Sequence, residues 1–314
     1  MGLVFNINEM EKKTAKTHIY SNIIDLIGNT PLLRVEGVFA KLESMNPTGS
    51  IKDRMAYYMI KKAEQMGNLK PGDKIIEVTS GNTGIAFAML SALRGYKFIA
   101  IMPESMSFER RQMMKIYGAK IILTPAEKDM KGAVEEYEKL IKKEPKAWLP
   151  KQFENPDNIA AHREGIGKEI LEQMRGKKID AFVAGVGTGG TLLGVAQALK
   201  RVNPQTKIIA VEPKESAVLS GGKPGLHQIQ GIGEGFIPKI VENNLNFIDE
   251  VVTISSQDAI HAMQNLAEKF GILAGISSGA NILTAQKIKN KYGFKNVVTV
   301  LPDRGERYLS KNIC

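Results

Sequence analysis

Residues 74–103 read KIIEVTSGNTGIAFAMLSALRGYKFIAIMP. Lys74 to Thr79 has the apolar, β-branched character of a buried strand, Ile85 to Leu93 continues as an apolar helix, and Lys97 to Pro103 is a second apolar run. Strand, helix and strand in such close succession imply a parallel pair with a crossover helix. The turn between the first strand and the helix, TSGNTG (Thr79 to Gly84), places hydroxyls and free backbone N–H groups at a helix start, which makes an anion cradle. It holds no lysine, and GxxxxGK[ST] occurs nowhere, so a P-loop is excluded and a carboxylate suits the cradle better than a pyrophosphate.

The same alternation extends along the chain. Strands are predicted at Lys120 to Pro125, Ala181 to Val186, Lys207 to Glu212 and Asn296 to Leu301, with helices between them. Gln257 to Phe270 is a typical helix, with Ile260, Met263, Leu266, Ala267 and Phe270 on one face and Ser256 able to cap it. The proline-bearing stretch KAWLPKQFENPDN (Lys146 to Asn158) separates two strand groups and suits a domain crossing. The expected architecture is therefore α/β, with two domains of mostly parallel sheet and a ligand between them at the carboxyl ends of the strands.

Composition narrows the function. With 43% hydrophobic and 24% charged residues, the 314-residue chain is that of an ordinary globular protein. No apolar run approaches the roughly 18 to 20 residues of a membrane span. MGLVFNINEMEKKTAK lacks the apolar stretch of a secretory signal, so an intracellular, cytoplasmic protein is expected. The single cysteine, Cys314, permits no intrachain disulfide, and His18, His162, His227 and His261 are too scattered to suggest a metal site. The formal charge of +10 comes with dispersed lysine pairs rather than a basic block, which favours a solvated surface over a nucleic-acid site.

Two more loops carry chemistry. In NPTGSIKDR (Asn46 to Arg54), Ser50 can cap a helix whose first turn holds Lys52, an electrostatically poor place for an ammonium. A lysine joined to an aldehyde escapes that cost, although a surface lysine beside Asp53 also explains the motif. In GVGTGGT (Gly185 to Thr191), glycines after a strand open a helix and let the chain approach a phosphate. Gly185, Gly187 and Gly190 also satisfy GxGxxG, and Glu212 ends the next strand, as in a nicotinamide-binding dehydrogenase. That alternative leaves Lys52 and TSGNTG unexplained.

These three loops, in this order, resemble the cysteine synthase family of pyridoxal-phosphate enzymes, which includes O-acetylserine sulfhydrylases and cystathionine β-synthases. The likeness extends from IGNTPLLRV (Ile27 to Val35) through MPESMSFERR and YGAKIILTP to GILAGISSGA (Gly271 to Ala280) and LPDRGERYL. The resemblance implies fold type II: two three-layer α/β/α domains with pyridoxal 5'-phosphate in the cleft. Residues 1–40 with 154–314 would form the larger, cofactor-binding domain, and residues 41–153 a smaller mobile one. It implies that Lys52 is the Schiff-base lysine, that Gly187, Thr188, Gly189, Gly190 and Thr191 hold the phosphate, and that Asn82 bonds the ring hydroxyl. Ser277, otherwise a helix cap, would face the pyridine nitrogen. Thr79, Ser80, Gly81 and Thr83, with Gln152, would hold the substrate carboxylate, and no metal is called for.

The implied reaction is β-replacement on a serine- or cysteine-type amino acid through an aminoacrylate, most simply O-acetylserine plus sulfide giving cysteine plus acetate, in a homodimer. One departure is Glu234 in GIGEGF (Gly231 to Phe236), where plain cysteine synthases usually carry a small residue. As a general base it would suit release of sulfide from cysteine, with water or a thiol adding to give serine or lanthionine. A solvated loop carboxylate is the alternative, and cystathionine-type synthesis is a third reading. A non-catalytic binding protein would be expected to have lost Lys52 or the phosphate loop, and both are present.

Overall fold

The computed structural model describes residues 19–311. His18, Cys314 and the N-terminal stretch read for a secretory signal lie outside the described residues.

Among the described residues nine strands form two sheets. They are β1 (Leu32–Val35), β2 (Val38–Leu42), β3 (Lys74–Val78), β4 (Lys97–Pro103), β5 (Lys120–Thr124), β6 (Ala181–Gly185), β7 (Lys207–Pro213), β8 (Glu250–Ile254) and β9 (Val297–Leu301). The larger sheet has the order β1-β2-β9-β6-β7-β8 and the smaller β3-β4-β5. Every pairing is parallel except β1 with β2. That hairpin turns at Glu36 and Gly37, both with positive φ (48° and 81°), as a two-residue primed turn requires.

The helices are α1 (Lys52–Gln65), α2 (Asn82–Arg94), α3 (Phe108–Ile116), α4 (Asp129–Lys143), α5 (Asp157–His162), α6 (Lys168–Gln173), α7 (Gly190–Val202), α8 (Lys239–Glu242), α9 (Ser256–Phe270) and α10 (Ile276–Tyr292). Strand side chains alternate between two faces, and both faces are covered. In β6, Ala181 and Val183 join the core built with α9 and α10, whereas Phe182 and Ala184 join that built with α7. In the smaller sheet Ile75 packs toward α1 and α2, and Ile76 toward Met130 and Ala133 of α4. Each sheet is thus the middle of three layers. Full burial of a side chain such as Phe182 contributes on the order of 2 kcal/mol.

The six predicted strands are present, Lys97–Pro103 with the expected ends and the others with one end shifted by a residue, while β1, β2 and β8 were not anticipated. β2 runs to Leu42 within the larger sheet, two residues past the expected domain limit at 40. Two expected caps are corrected. The cap of α9 is Ser255, whose side chain accepts from Asp258 N, while Ser256 Oγ accepts from Gln228 N at 2.9 Å. The cap of α10 is Gly275, which puts Ser277 inside the first turn. Because the strands are parallel, the loops after β3, β6 and β9 emerge from carboxyl ends, where a ligand crevice forms.

Candidate active site

A cleft lies at those strand ends. Lys52, Ser80, Asn82, Thr83, Gln152, Gly187, Thr188, Gly189, Thr191, Glu234 and Ser277 all line it. Residues from five of the quoted stretches therefore meet, and Glu234 lines the cleft with them. Thr79 and Gly81 stand behind the lining, and Gly190 is buried at the start of α7.

Lys52 opens α1 at a turn stitched to the carboxyl end of β9: Ile51 N donates to Pro302 O at 2.8 Å, and Arg304 N to Gly49 O at 3.2 Å. Lys52 Nζ makes no hydrogen bond or ion pair among the described residues. Burial lowers the pKa of its ammonium, and the carboxylates of Glu234 and Asp303 act against that shift. The neutral, nucleophilic amine is thereby favoured relative to a free lysine.

The TSGNTG turn is shaped by its first residue. Thr79 Oγ1 accepts from Gly81 N (2.9 Å) and Gly84 N (3.0 Å), so this hydroxyl is spent on the turn itself. Thr83 Oγ1 donates to Gln152 Oε1 at 2.7 Å, and Gln152 Nε2 donates to Val78 O at 2.9 Å. Distant in sequence, Thr83 and Gln152 are thus joined at the cradle.

Glu77 lies beneath Gln152. Its carboxyl accepts from Val78 N at 3.0 Å and Gln152 N at 3.2 Å, yet burial pushes it up to about 8, the backbone bonds from Gln152, Val78 and Lys151 opposing the rise. The unfolded chain loses that proton near its ordinary value of 4.5, so between these values the native state binds more protons and stability falls as pH rises. Glu77→Gln is expected to flatten the decline in melting temperature between pH 5 and pH 8. An undiminished slope in the variant would contradict this.

At the third loop, Gly189 has φ +86° and precedes α7, whose first-turn N–H groups face the cleft end. Thr188 Oγ1 accepts from Asn158 Nδ2 at 2.9 Å, and Thr191 Oγ1 lies 3.4 Å from His162 Nε2. Burial, reinforced by the charges of Lys52 and Arg54, keeps His162 neutral at pH 7. A Cβ on Gly187 would stand 2.3 Å from Gly231 O, because the GIGEGF loop lies directly on this turn. Glu212, the acid the dehydrogenase alternative needs, instead accepts from Leu219 N (2.8 Å) and Ser220 N (3.0 Å), closing its own loop.

Sequence reasoning missed Arg110, Asn158, Gln230, Asp303, Arg307 and Tyr308, all buried or half-buried around the cleft. The quoted MPESMSFERR and LPDRGERYL contain four of them, and nothing local marked those residues as site components.

The sequence profile described as pyridoxal-phosphate dependent enzyme matches residues 23–303. The chain belongs to that family. It is 50% identical over 298 residues to the cysteine synthase of Staphylococcus aureus strain N315, covering 92% of this chain and 95% of the relative. The crystal structure of a cysteine synthase from Entamoeba histolytica superposes with a TM-score of 0.90 at 44% identity, covering 95% and 92% of the two chains. A hydrogen sulfide-producing enzyme from Fusobacterium nucleatum gives 0.86 at 43%, covering 92% and 90%.

The cleft of this pyridoxal-phosphate dependent enzyme fits its cofactor. A buried amine suits an aldehyde. The glycine turn has no room for side chains, since a Cβ on Gly189 or Gly190 would meet Val241 at 2.1 Å or Asn158 Oδ1 at 2.0 Å. Its backbone donors and the adjoining hydroxyls suit a phosphate.

Proposed function

We propose that the protein is a cysteine synthase that converts O-acetylserine and sulfide into cysteine and acetate. One observation carries this reading: the Lys52 amine, its ammonium disfavoured by burial, shares one cleft with the Thr83–Gln152 cradle and the glycine turn before α7. Pyridoxal phosphate, when bound, supplies the electron sink for the pair released at the substrate α-carbon.

In this proposal Lys52 holds the cofactor covalently, and its freed amine takes the α-proton on Nζ. Gly187, Thr188, Gly189, Gly190 and Thr191 hold the phosphate, Asn82 the ring hydroxyl. Ser277 faces the pyridine nitrogen; a hydroxyl stabilises its protonated form less than a carboxylate would, which favours loss of the β-substituent over transamination. Ser80, Thr83, Gln152 and the backbone at Gly81 orient the amino-acid carboxylate, with Thr79 keeping the turn in shape. The unit carrying the smaller sheet closes over that carboxylate and excludes water. The Staphylococcus aureus relative supports the substrate assignment.

Glu234 favours a second activity. Its place in the lining beside Lys52 suits a general base for water adding at the β-carbon, so that cysteine plus water gives serine plus hydrogen sulfide. The likeness to a hydrogen sulfide-producing enzyme of Fusobacterium nucleatum supports the release of hydrogen sulfide. We further propose a cytoplasmic homodimer; the exposed apolar side chains of Ile23, Leu26, Leu33 and Met45 suit burial against a second copy.

Paired assays test the reading. O-acetylserine plus sulfide is expected to yield cysteine with wild type and, within a few fold, with Glu234→Ala, whereas sulfide release from cysteine should fall about 100-fold in the variant. Absence of cysteine from the first assay would overturn the cysteine synthase proposal, and unchanged sulfide release would overturn the role of Glu234.

A further inference from the structure

Asn82 is held from behind by two residues of the segment after β9, Asp303 in the connecting loop and Arg307 in the 3-10 helix Gly305–Lys311. Its Nδ2 donates to Asp303 Oδ2 at 2.7 Å, and its Oδ1 accepts from Arg307 Nη1. An aspartate carboxylate can only accept and a guanidinium can only donate, so rotating the amide by half a turn would set like against like on both sides. The amide orientation is thereby dictated by chemistry, with one N–H of Nδ2 and one lone pair of Oδ1 left over. Asn82 lines the cleft.

The two clamping residues are themselves fixed. Asp303 Oδ2 also accepts from Tyr308 Oη at 2.6 Å, Arg110 Nη2 lies 3.8 Å from the same oxygen, and Arg110 and Asp303 are each only 1% exposed. Arg307 Nη2 donates to Thr48 O at 2.8 Å, and Thr48 N donates to Asp53 next to Lys52. The clamp therefore rests on the turn that presents Lys52, on Arg110 of α3 and, through Gly275 N donating to Asp303 O at 3.0 Å, on the loop before α10.

We propose that Asp303 and Arg307 are positioning residues that lock the Asn82 amide with its remaining N–H reserved for the ring oxygen of pyridoxal phosphate. This rests on the assignment of Asn82 to the ring hydroxyl and adds what enforces it. Without the clamp the amide can turn and offer its carbonyl to that oxygen, an acceptor facing an acceptor.

The test is a double-mutant cycle read by cofactor binding and spectrum. Apoprotein of wild type, Asp303→Asn, Asn82→Ala and the double variant is titrated with pyridoxal phosphate, following visible absorbance. Asp303→Asn is expected to weaken binding about tenfold, the worth of one charge-assisted hydrogen bond, and to shift the visible band. It should lower kcat about tenfold while KM for the amino acid stays within about twofold. In the Asn82→Ala background the same substitution should cost no more than about twofold in binding, the residue of the Asp303 carboxylate's own field at Lys52. Equal losses in both backgrounds would show a merely structural role and overturn the proposal, as would a wild-type band and affinity in Asp303→Asn. Should Asp303→Asn not fold, Arg307→Gln, whose amide can donate or accept, runs the same cycle from the other side of the amide. A wild-type protein that develops no visible band contradicts the site assignment itself, whereas a normal wild-type band with an inert Asp303→Asn contradicts only the clamp.

Discussion

Lys52→Ala is expected to remove the visible absorbance of the cofactor and to lower cysteine formation by at least about 10⁴-fold, because one amine both anchors the cofactor and moves the α-proton. The fold should survive. Lys52 Nζ makes no hydrogen bond or ion pair among the described residues, and burial disfavours its charged form. For a lysine whose folded pKa is lowered, the unfolded chain holds the proton more tightly than the native state, so below the unfolded pKa the group destabilises the apoprotein and its penalty is lost as pH rises through that value. The variant apoprotein should accordingly melt no lower than wild-type apoprotein at pH 7. Site residues that cost stability and provide activity are common where chemistry requires burial. Circular dichroism melting and absorbance spectra check both halves. A variant that retains the visible band or turns over within tenfold of wild type would refute the role.

Gly187→Ala is expected to abolish cofactor binding at micromolar concentrations, a loss of at least about 100-fold, and to destabilise the protein by about 1–3 kcal/mol. The new methyl would lie 2.3 Å from Gly231 O. That atom is backbone, in a loop whose Gly233 N donates to Val186 O at 3.0 Å, so the contact is relieved only by parting two loops that both line the cleft. The backbone donors of the turn then no longer converge. Titration of apoprotein with pyridoxal phosphate, together with thermal melting, measures both effects. Near-wild-type affinity in this variant would mean that the phosphate is held elsewhere.

Much of this architecture was legible in the chain because its signals are local. Apolar runs such as Lys97–Pro103, buried on both faces, announce parallel strands, and glycine next to hydroxyls announces a turn at a helix start. The β1–β2 hairpin escaped because its strands are short and Leu33 and Arg34 are exposed, leaving little apolar alternation. β8 escaped for a related reason: it is an edge strand with only Ile254 fully buried. The alternative of Ser277 as a cap arose because a serine before an apolar helix usually is one, whereas here Gly275 takes that position.

The site divides in the same way. Lys52, the cradle and the glycine turn each carry their chemistry in a few adjacent residues. Asp303, Arg307 and Tyr308 act on Asn82 and Arg110 across separations of about 200 residues, and only the folded topology brings them together. The place of Glu234 in the cleft lining likewise depends on how GIGEGF lies over the glycine turn, which no local pattern determines.

The central claim is a covalent link between the cofactor and one amine. Borohydride reduction of the purified enzyme loaded with pyridoxal phosphate, followed by proteolysis and mass spectrometry, tests it directly. The account predicts the pyridoxyl phosphate adduct on the peptide containing Lys52 and on no other lysine. An adduct located on a different lysine, or an unmodified Lys52 in protein that has bound the cofactor, would contradict it.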